Sequence, residues 1–279
     1  MGLFKKSSDI IDLEDIVFDT ETEIIGKKNK KWGIRKSDGK RVLIKRNMCT
    51  THKGRILEWW TNVLGEYYSS KIFELFGVPC QKVQIGYARR GKDKFDKGKK
   101  AQIRAVIESV LNEDEELIEF NLCDLSMKSF LEKYIAKIKE LGANQKEIES
   151  IVRDTVRIAF IRTLLADPDW QYNSAIIHNK KDGTYRCAPA LDSERAFCKK
   201  NQPWCIREPM EEIFRNYYEY IEDLVIRLEQ NLKKIVDIVD DRGLQKNLKA
   251  TIGYTLELHE KYKEEDLQTN EERKENKTR

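Results

Sequence analysis

The sequence predicts an α+β fold of two lobes, in which a β-rich N-terminal lobe with one main helix precedes a mostly helical C-terminal lobe. Three observations indicate this order. Short runs of β-branched and aromatic residues, typical of strands, fill the chain from about residue 15 to 110. From about residue 124 onward, apolar residues recur at helical spacing. A chain of 279 residues is long enough to form two such lobes.

The N-terminal lobe is predicted to consist of short strands around one helix. Strands are predicted over residues 15–19, 32–35, 41–45, 81–88 and 102–110. The second and third of these flank an Asp38-Gly39 pair, which is a strong hairpin signal. A helix is predicted over 58–76, because its apolar residues follow one stripe and Gly77 provides a stop. Residues 89–100 are mostly charged and are predicted to form a solvated loop.

The C-terminal lobe is predicted to be built from long helices. Helices are predicted over 126–141 and 145–166, and a further helical region is predicted to open at Pro209. Residues 167–208 are irregular apart from a strand pair joined by a turn at 181–183. Residues 268–279 contain almost no apolar side chain and are predicted to be disordered. The predicted domains are therefore an N-lobe over 1–110, a C-lobe over 111–267 and a tail over 268–279.

The composition is that of a highly charged globular protein, and it disfavours several classes of function. Lys and Arg number 52 and Asp and Glu 48, so the net charge is only +4, too small for a general nucleic-acid binder. No apolar stretch is long enough to span a membrane and no signal peptide is recognisable, so a cytoplasmic protein is expected, the alternative being an effector secreted by a route that leaves no mark in the sequence. The six cysteines form no Cys-x-x-Cys pair and the three histidines lie far apart, which disfavours a zinc site and a disulfide framework.

A basic hairpin and the N-lobe helix supply the first candidate site residues. Gly26 begins a basic turn, 26–31, whose backbone N–H and ammonium groups could face phosphates. Lys45 ends an apolar strand and is predicted to point inward. Glu66 lies in mid-helix among apolar neighbours, where an unpaired carboxylate would be costly, and Lys45 is its predicted partner. The alternatives are a surface hairpin with a solvated tip and a half-exposed glutamate.

The strongest candidate segment combines a polar loop with a strand pair. Residues 167–173 contain two aspartates and an asparagine, and a predicted strand, turn and strand then lead to Asp192. This path returns Asp192 beside the loop, so that Asn173 and Asp192 could hold one Mg²⁺, whose preferred ligands are carboxylate and amide oxygens. Asp169 would then face the hydroxyl of a substrate. The alternative is an ordinary hairpin that follows an Asp-Pro turn.

A strand-rich lobe with one helix, followed by a helical lobe with an irregular polar loop, is the order of protein-kinase-like folds. The chain resembles the HipA-like family of bacterial serine/threonine kinases, and more closely its compact CtkA-type members. The resemblance lies in four segments between about residues 24 and 200: the hairpin 26–45, the helix and turn 65–79, the hinge-like segment 107–118, and the pair 169–173 and 188–192. The last pair resembles the family's DRHxxN catalytic loop and LAPxxD metal motif. The order and spacing of the four segments are more specific than any one of them.

The resemblance implies ATP-dependent phosphorylation of a serine or threonine of a protein, with autophosphorylation as one outcome. The nucleotide loop would contain Gly26 and Lys31, Lys45 would contact the phosphates, and Glu66 would steady Lys45. The backbone at Glu108 and Val110 would hold adenine. Asp169 would orient the acceptor hydroxyl, and Asn173 and Asp192 would bind Mg²⁺.

The chain departs from the family pattern in two respects. Asp169 and Asn173 are four residues apart where the family has five, and Trp170-Gln171 replaces Arg-His, so Asp167 is a rival for the catalytic role. Little sequence precedes the kinase-like segments, so the N-terminal subdomain of full-length HipA is expected to be absent, and an antitoxin partner is left open. The alternatives are a nucleotide-binding pseudokinase or interaction module, and a kinase that acts on a lipid or small molecule.

Overall fold

The structure is a computed structural model, and it describes residues 10–19, 30–46, 49–52, 55–59, 63–87, 103–120, 122, 126–167, 171, 173–193, 195–197 and 203–278. Within 46–59, 203–206 and 265–278 only the backbone is described. The chain forms two compact units, one of Met1–Glu119 with Ala175–Ala196, the other of Phe120–Ser174 with Phe197–Arg279. The predicted charged loop 89–100 lies outside the described residues.

The strands of the described residues belong to the first unit. They are Ile10–Asp12 (β1), Ile16–Phe18 (β2), Lys30–Arg35 (β3), Arg41–Arg46 (β4), Cys49–His52 (β5), Arg55–Trp59 (β6), Val83–Tyr87 (β7), Ile103–Glu108 (β8), Glu115–Glu119 (β9), Ala175–Asn179 (β10) and Tyr185–Cys187 (β11). The largest sheet has six strands in the order β1-β7-β8-β4-β3-β2, and only β1 and β7 pair in parallel. The strands predicted at 15–19, 32–35, 41–45, 81–88 and 102–110 are therefore confirmed, with shifted ends.

The hairpin of β3 and β4 forms as its turn residues predict. Gly39 has a φ of +70°, a left-handed conformation that glycine adopts without strain. The register places Lys30 opposite Lys45. Alternation along β4 buries Val42 and Ile44, which pack against Leu13, Ile16 and Val106 in the core of the sheet. The hairpin is thus fixed at its tip by the turn and along one face by apolar packing.

Among the described residues of the first unit there is one α-helix, Val63–Phe76 (α1), which buries most of its side chains. It ends at Gly77, whose φ of +68° is the left-handed conformation expected of a terminating glycine. The predicted start at residue 58 is wrong, because Arg55–Trp59 forms β6 and pairs with β5. Ile56 and Trp59 belong to residue types that favour strands, and this pairing prevails over the helical stripe.

A three-stranded sheet in the order β11-β10-β9 completes the first unit. The turn between β10 and β11 contains Gly183 with a φ of +73°, as the predicted turn at 181–183 requires. Backbone hydrogen bonds join the segment after β11 to the segment between α1 and β7: the N–H of Ala190 donates to Pro79, and its carbonyl oxygen accepts from Gln81. The first unit thus contains β9 and the β10–β11 hairpin as well as the larger sheet.

Four helices form the described part of the second unit: Met127–Glu140 (α2), Gln145–Leu164 (α3), Pro203–Ile238 (α4) and Arg242–Thr278 (α5). Ser126 caps α2, and Asn144 caps α3 in a reciprocal capping box with Glu147. Gly142 ends α2 with a φ of +94°. The apolar faces of α2, α3, α4 and α5 pack against one another to form the core of this unit.

The structure differs from the sequence predictions at both ends of the helical region. α4 begins at Pro203 rather than Pro209, since the earlier proline can occupy the first turn of the helix equally well. α5 continues to Thr278, through the segment that is predicted to be disordered, because glutamate and lysine favour helix even without apolar neighbours. Among the described residues, no helix is both long enough and apolar enough to cross a membrane.

Candidate active site

A buried ion pair between β4 and α1 is the centre of the candidate site. Lys45 and Glu66 are each 3% exposed. Lys45 Nζ lies 2.5 Å from Glu66 Oε1, so the pairing predicted from the sequence is confirmed. The strand carries Lys45 inward at the end of its apolar run, and the helix presents Glu66 from its buried face. Each charge offsets the cost of burying the other.

Asp192 joins this pair from the segment that follows β11. Its Oδ1 lies 2.8 Å from Lys45 Nζ, and its Oδ2 lies 2.8 Å from Lys30 Nζ. Two ammonium groups and two carboxylates therefore meet in one cluster, which we call the Lys45 cluster (Lys30, Lys45, Glu66 and Asp192). About a quarter of the Asp192 side chain is exposed, whereas Lys45 and Glu66 are almost fully enclosed. Asp192 is thus the carboxylate of the cluster that a solute can reach.

The backbone around Asp192 is held in an unusual conformation. Asp192 has a φ of +53°, in the left-handed region that non-glycine residues seldom adopt. Its N–H donates to Gln81 Oε1 at 3.2 Å, and the N–H of Ser193 donates to Glu66 Oε2 at 3.1 Å. Such conformations persist where the surroundings fix them, and they concentrate at functional sites. With the backbone of Asp192 in this conformation, its carboxylate contacts both lysines.

The charges in the cluster shift the pKa values of the two carboxyl groups in opposite directions. Burial alone would raise the pKa of Asp192, but the ammonium groups of Lys45 and Lys30 outweigh it and hold that pKa well below its usual range. Burial raises the pKa of Glu66 above its ordinary value, although the Lys45 ammonium opposes this and the Asp192 carboxylate adds to it. Asp192 is therefore ionised at neutral pH, as a metal-binding carboxylate must be.

Lys30, which the sequence interpretation missed, belongs to the cluster, whereas Lys31 does not. Successive side chains of a strand point to opposite faces, so only one of two adjacent lysines can face Asp192. Lys30 lies opposite Lys45 in the register of the hairpin, and its ammonium reaches Asp192. Lys31 is exposed, with Nζ 6.0 Å from the ring centroid of Phe18. Counting alternate positions back across the hairpin from Lys45 would have identified Lys30.

The predicted adenine-binding segment is partly engaged within the protein. The backbone N–H of Glu108 donates to the carbonyl oxygen of Lys82 at 3.0 Å, which leaves it unavailable to a ligand. The Glu108 carboxylate is paired with Arg35 and Lys40. Val110 packs at the edge of the apolar cluster that surrounds β10. The backbone N–H of Ser109 likewise donates to the carbonyl oxygen of Arg41 at 3.0 Å, so a ligand at this segment would have to use the carbonyl oxygens of 108–110 or the N–H of Val110.

Two of the predicted residues, Gly26 and Asp169, lie outside the described residues. Asn173 is half-buried in the loop before β10 and belongs to the second unit, whereas Asp192 belongs to the first. Asp167, the rival of Asp169, is described. Its Oδ2 accepts from Arg162 Nε at 2.9 Å and from Nη2 at 2.6 Å, and neither side chain is more than 1% exposed. Asp167 is thus committed to a buried ion pair at the end of α3.

Replacing Asp167 by alanine is expected to destabilise the protein rather than to remove a reactive group selectively. The change leaves the buried Arg162 guanidinium without this carboxylate, and breaking such a pair typically costs about 3–5 kcal/mol. Urea unfolding measures the loss, with Asp154→Ala as a control, because that aspartate pairs with Arg153 at the surface of the same helix. Equal free energies of unfolding for the two variants would contradict the structural role of Asp167.

Several solved structures are similar in fold to this chain, among them a kinase. The Helicobacter pylori proinflammatory kinase CtkA is 13% identical, with a TM-score of 0.56, and the match covers 88% of this chain and 94% of that chain. Hydra Fam20, solved with sugar, is 15% identical, with a TM-score of 0.52, and the match covers 89% and 86%. HipA of Shewanella oneidensis MR-1, solved with HipB and operator DNA, is 10% identical over 88% and 66%, and its TM-score of 0.49 is too low to support an assignment.

No protein-family model matches the chain, and no curated protein matches it in sequence. At 13% and 15% identity the structural similarity establishes the fold and nothing finer. The fold is kinase-like, with a β-rich N-terminal part and a helical C-terminal part, as the order of elements in the sequence predicts. Membership of the HipA-like family stays a prediction.

Proposed function

We propose that the protein is a phosphotransferase that moves the γ-phosphate of ATP to a serine or threonine hydroxyl of a protein, as HipA-like kinases do. The observation that supports this most is the Lys45 cluster, in which a buried Lys–Glu pair meets a partly exposed, ionised aspartate. Phosphoryl transfer needs a cation on the phosphates, a metal held by oxygen ligands and an oriented acceptor. The cluster supplies the first two within a kinase-like fold.

Lys45 is proposed to bind the phosphates of ATP. Its ammonium is held at a fixed position by Glu66, and it already contacts the Asp192 carboxylate at 2.8 Å. The pair with Glu66 therefore orients a positive charge toward the exposed side of the cluster, where Asp192 lies. A preorganised cation of this kind stabilises the charge that develops on the phosphoryl oxygens without rearranging during the reaction.

Asp192 and Asn173 are proposed to hold Mg²⁺. The Asp192 carboxylate fits this ion, because it is ionised, partly exposed and fixed by the hydrogen bond from its own N–H to Gln81. Asn173 is half-buried and offers an amide oxygen. When bound, the ion neutralises phosphate charge and orients the γ-phosphoryl group. In its absence, the two lysines balance the charge of Asp192.

Asp169 is proposed to orient the acceptor hydroxyl and accept its proton. The support is the resemblance of 169–173 to the HipA-like catalytic loop, together with the burial of its rival, since Asp167 is paired with Arg162.

The adenine ring is proposed to bind at the backbone of 108–110. The N–H of Glu108 is excluded as a donor by its bond to Lys82, so the proposal rests on the Glu108 carbonyl and the backbone of Val110.

Lys30 and Lys31 provide a matched pair of variants for testing ATP binding. Lys30 is proposed to leave Asp192 to Mg²⁺ and to bind a phosphate oxygen of ATP, so Lys30→Ala is expected to weaken the affinity for Mg²⁺–ATP about tenfold or more, the usual cost of losing one charge-assisted hydrogen bond. Lys31→Ala removes the same charge from the neighbouring position on the other face of β3 and should change the affinity less than about twofold. Calorimetry measures the affinity of each variant for Mg²⁺–ATP. Equal losses of affinity in the two variants, or no ATP binding by the wild type, would contradict the proposal.

A nucleotide-binding protein without phosphotransfer is the second candidate. The observation in its favour is the sequence of the loop, where four residues rather than five separate Asp169 from Asn173 and Trp170-Gln171 replaces Arg-His. Such a protein would bind ATP at the Lys45 cluster but leave the γ-phosphate in place. Binding and transfer measurements on the same preparation separate the two candidates.

A further inference from the structure

A buried histidine of the second unit lies outside the proposed active site. His259 of α5 is 1% exposed. Its Nδ1 lies 3.0 Å from the hydroxyl oxygen of Tyr218 on α4, and the two rings stack with centroids 5.7 Å apart. Its Nε2 is fully buried and has no hydrogen-bond partner among the described residues. A buried polar atom in this state costs free energy unless something occupies the position in front of it.

Two carboxylates lie close to the His259 imidazole. Glu229 of α4 places Oε1 3.7 Å from His259 Nε2, beyond hydrogen-bonding distance. Glu260 follows His259 in α5, and one ligand atom from each of the three residues lies within 4.8 Å of the other two. Both glutamates are substantially exposed, so their carboxylates can move a short distance without disturbing the core. The imidazole, by contrast, is fixed by the surrounding aromatic rings.

Lys263 lies beside Glu229 and Glu260, so these two carboxylates already attract a cation. Lys263 Nζ lies 3.2 Å from Glu260 Oε1 and 3.9 Å from Glu229 Oε1. Its ammonium therefore balances part of the charge of the two carboxylates, yet among the described residues it forms no hydrogen bond to the buried nitrogen of His259. The Lys263 side chain is about half exposed, so it can swing into solvent.

We propose that His259, Glu229 and Glu260 form a binding site for Zn²⁺ between α4 and α5. One imidazole nitrogen and two carboxylate oxygens suit a borderline ion such as Zn²⁺ better than Mg²⁺, which prefers oxygen ligands alone. The Tyr218 hydroxyl beside Nδ1 is the outer partner that a metal-binding histidine requires, because it fixes the orientation of the ring. The spacing of the histidines in the sequence does not indicate this site, because it contains one histidine and its other proposed ligands are carboxylates.

Binding here would tie α4 to α5 and stabilise the second unit. Glu229 and His259 lie on different helices, so one ion that bridges them stabilises the folded chain by mass action. The site does not use any residue of the Lys45 cluster, so the proposal is independent of the proposed phosphotransfer.

The experiment follows the imidazole nitrogens of the full chain by ¹H–¹⁵N NMR while Zn²⁺ is added. The chain has only three histidines, so His52 and His178 serve as internal references, and the spectrum of His259→Gln assigns the third. The proposal predicts that the Nε2 resonance of His259 shifts to a metal-bound position with Zn²⁺ and does not shift with Mg²⁺. An unchanged His259 resonance in excess Zn²⁺ would overturn it.

A surface variant keeps the test independent of folding. Glu229→Gln removes one proposed ligand from an exposed position, and Glu257→Gln removes a carboxylate from an exposed position of α5 outside the cluster. Glu229→Gln is expected to weaken Zn²⁺ binding at His259 about tenfold or more, whereas Glu257→Gln should match the wild type. Equal Zn²⁺ affinity at His259 in Glu229→Gln and the wild type would contradict the proposed ligand set.

Discussion

Replacing Asp192 by asparagine is expected to lower the rate of phosphotransfer about 100-fold or more while the protein stays folded. The change removes the negative charge that is proposed to bind Mg²⁺ but keeps the size and shape of the side chain. Losing one preorganised electrostatic group of this kind typically costs a factor of about 10²–10³. The rate of transfer from Mg²⁺–ATP, with circular dichroism as a check of folding, measures the effect.

Asp114→Asn is the matched control for this variant. Asp114 is an exposed aspartate in the turn before β9 of the same unit, so its replacement removes one charge away from the Lys45 cluster. Its rate should stay within about twofold of the wild type, because solvent screens exposed charges. A variant at position 192 that keeps the rate of the control would refute the metal-binding role of Asp192.

Replacing Lys45 by methionine is expected to abolish transfer and also to destabilise the protein. Methionine fills the space but leaves Glu66 buried without the ammonium that now lies 2.5 Å away. Breaking a buried ion pair in this way costs about 3–5 kcal/mol. Transfer should fall about 100-fold or more, because the proposed phosphate ligand is lost. Urea unfolding and activity are measured on the same preparation.

The double variant Lys45→Met/Glu66→Gln separates stability from activity. Glutamine at 66 removes the uncompensated charge, so the double variant should recover much of the lost free energy of unfolding but none of the activity. If the double variant recovered both, Lys45 would have only a structural role. If it recovered neither, the buried charge of Glu66 would not explain the loss of stability.

The pH dependence of the Lys45→Met variant gives a further check on the same residue. Burial already raises the pKa of Glu66, and removal of Lys45 removes the group that opposes this rise. A carboxyl group whose pKa is higher in the folded state makes the protein less stable as pH rises toward that folded pKa. The destabilisation of Lys45→Met should therefore diminish as pH falls from 8 toward 4.5, the ordinary pKa of a glutamate.

Local patterns in the sequence predict seven of the eleven described strands, most helices and the Lys45–Glu66 pair. The Asp38-Gly39 turn and the alternation along β4 fix the hairpin, and the same alternation places Lys45 on the face of the sheet opposite Val42 and Ile44, where it meets Glu66 of α1. The cost of burying Glu66 without a partner then makes a cation necessary nearby, and the structure supplies Lys45. These predictions succeed because each depends on a few neighbouring residues or on one strong energetic requirement.

Partners that depend on the register of a hairpin, or on the residue at which an element ends, escaped prediction. The choice of Lys30 over Lys31 depends on the hairpin register, and the ion pair of Asp167 with Arg162 depends on the way α3 ends. The helix predicted to begin at residue 58 begins at Val63, because β5 offers the preceding residues a pairing partner. Composition and periodicity carry no information on such partners.

Transfer of labelled phosphate tests the proposed phosphotransferase most directly. The purified chain is incubated with γ-labelled ATP and Mg²⁺, alone and with a generic protein acceptor, beside Asp192→Asn. We expect Mg²⁺-dependent label on a serine or threonine of the wild type, located by mass spectrometry, and none on Asp192→Asn. ATP binding without label on the chain or the acceptor would contradict phosphotransfer and favour the nucleotide-binding alternative, and equal label with both proteins would contradict the site.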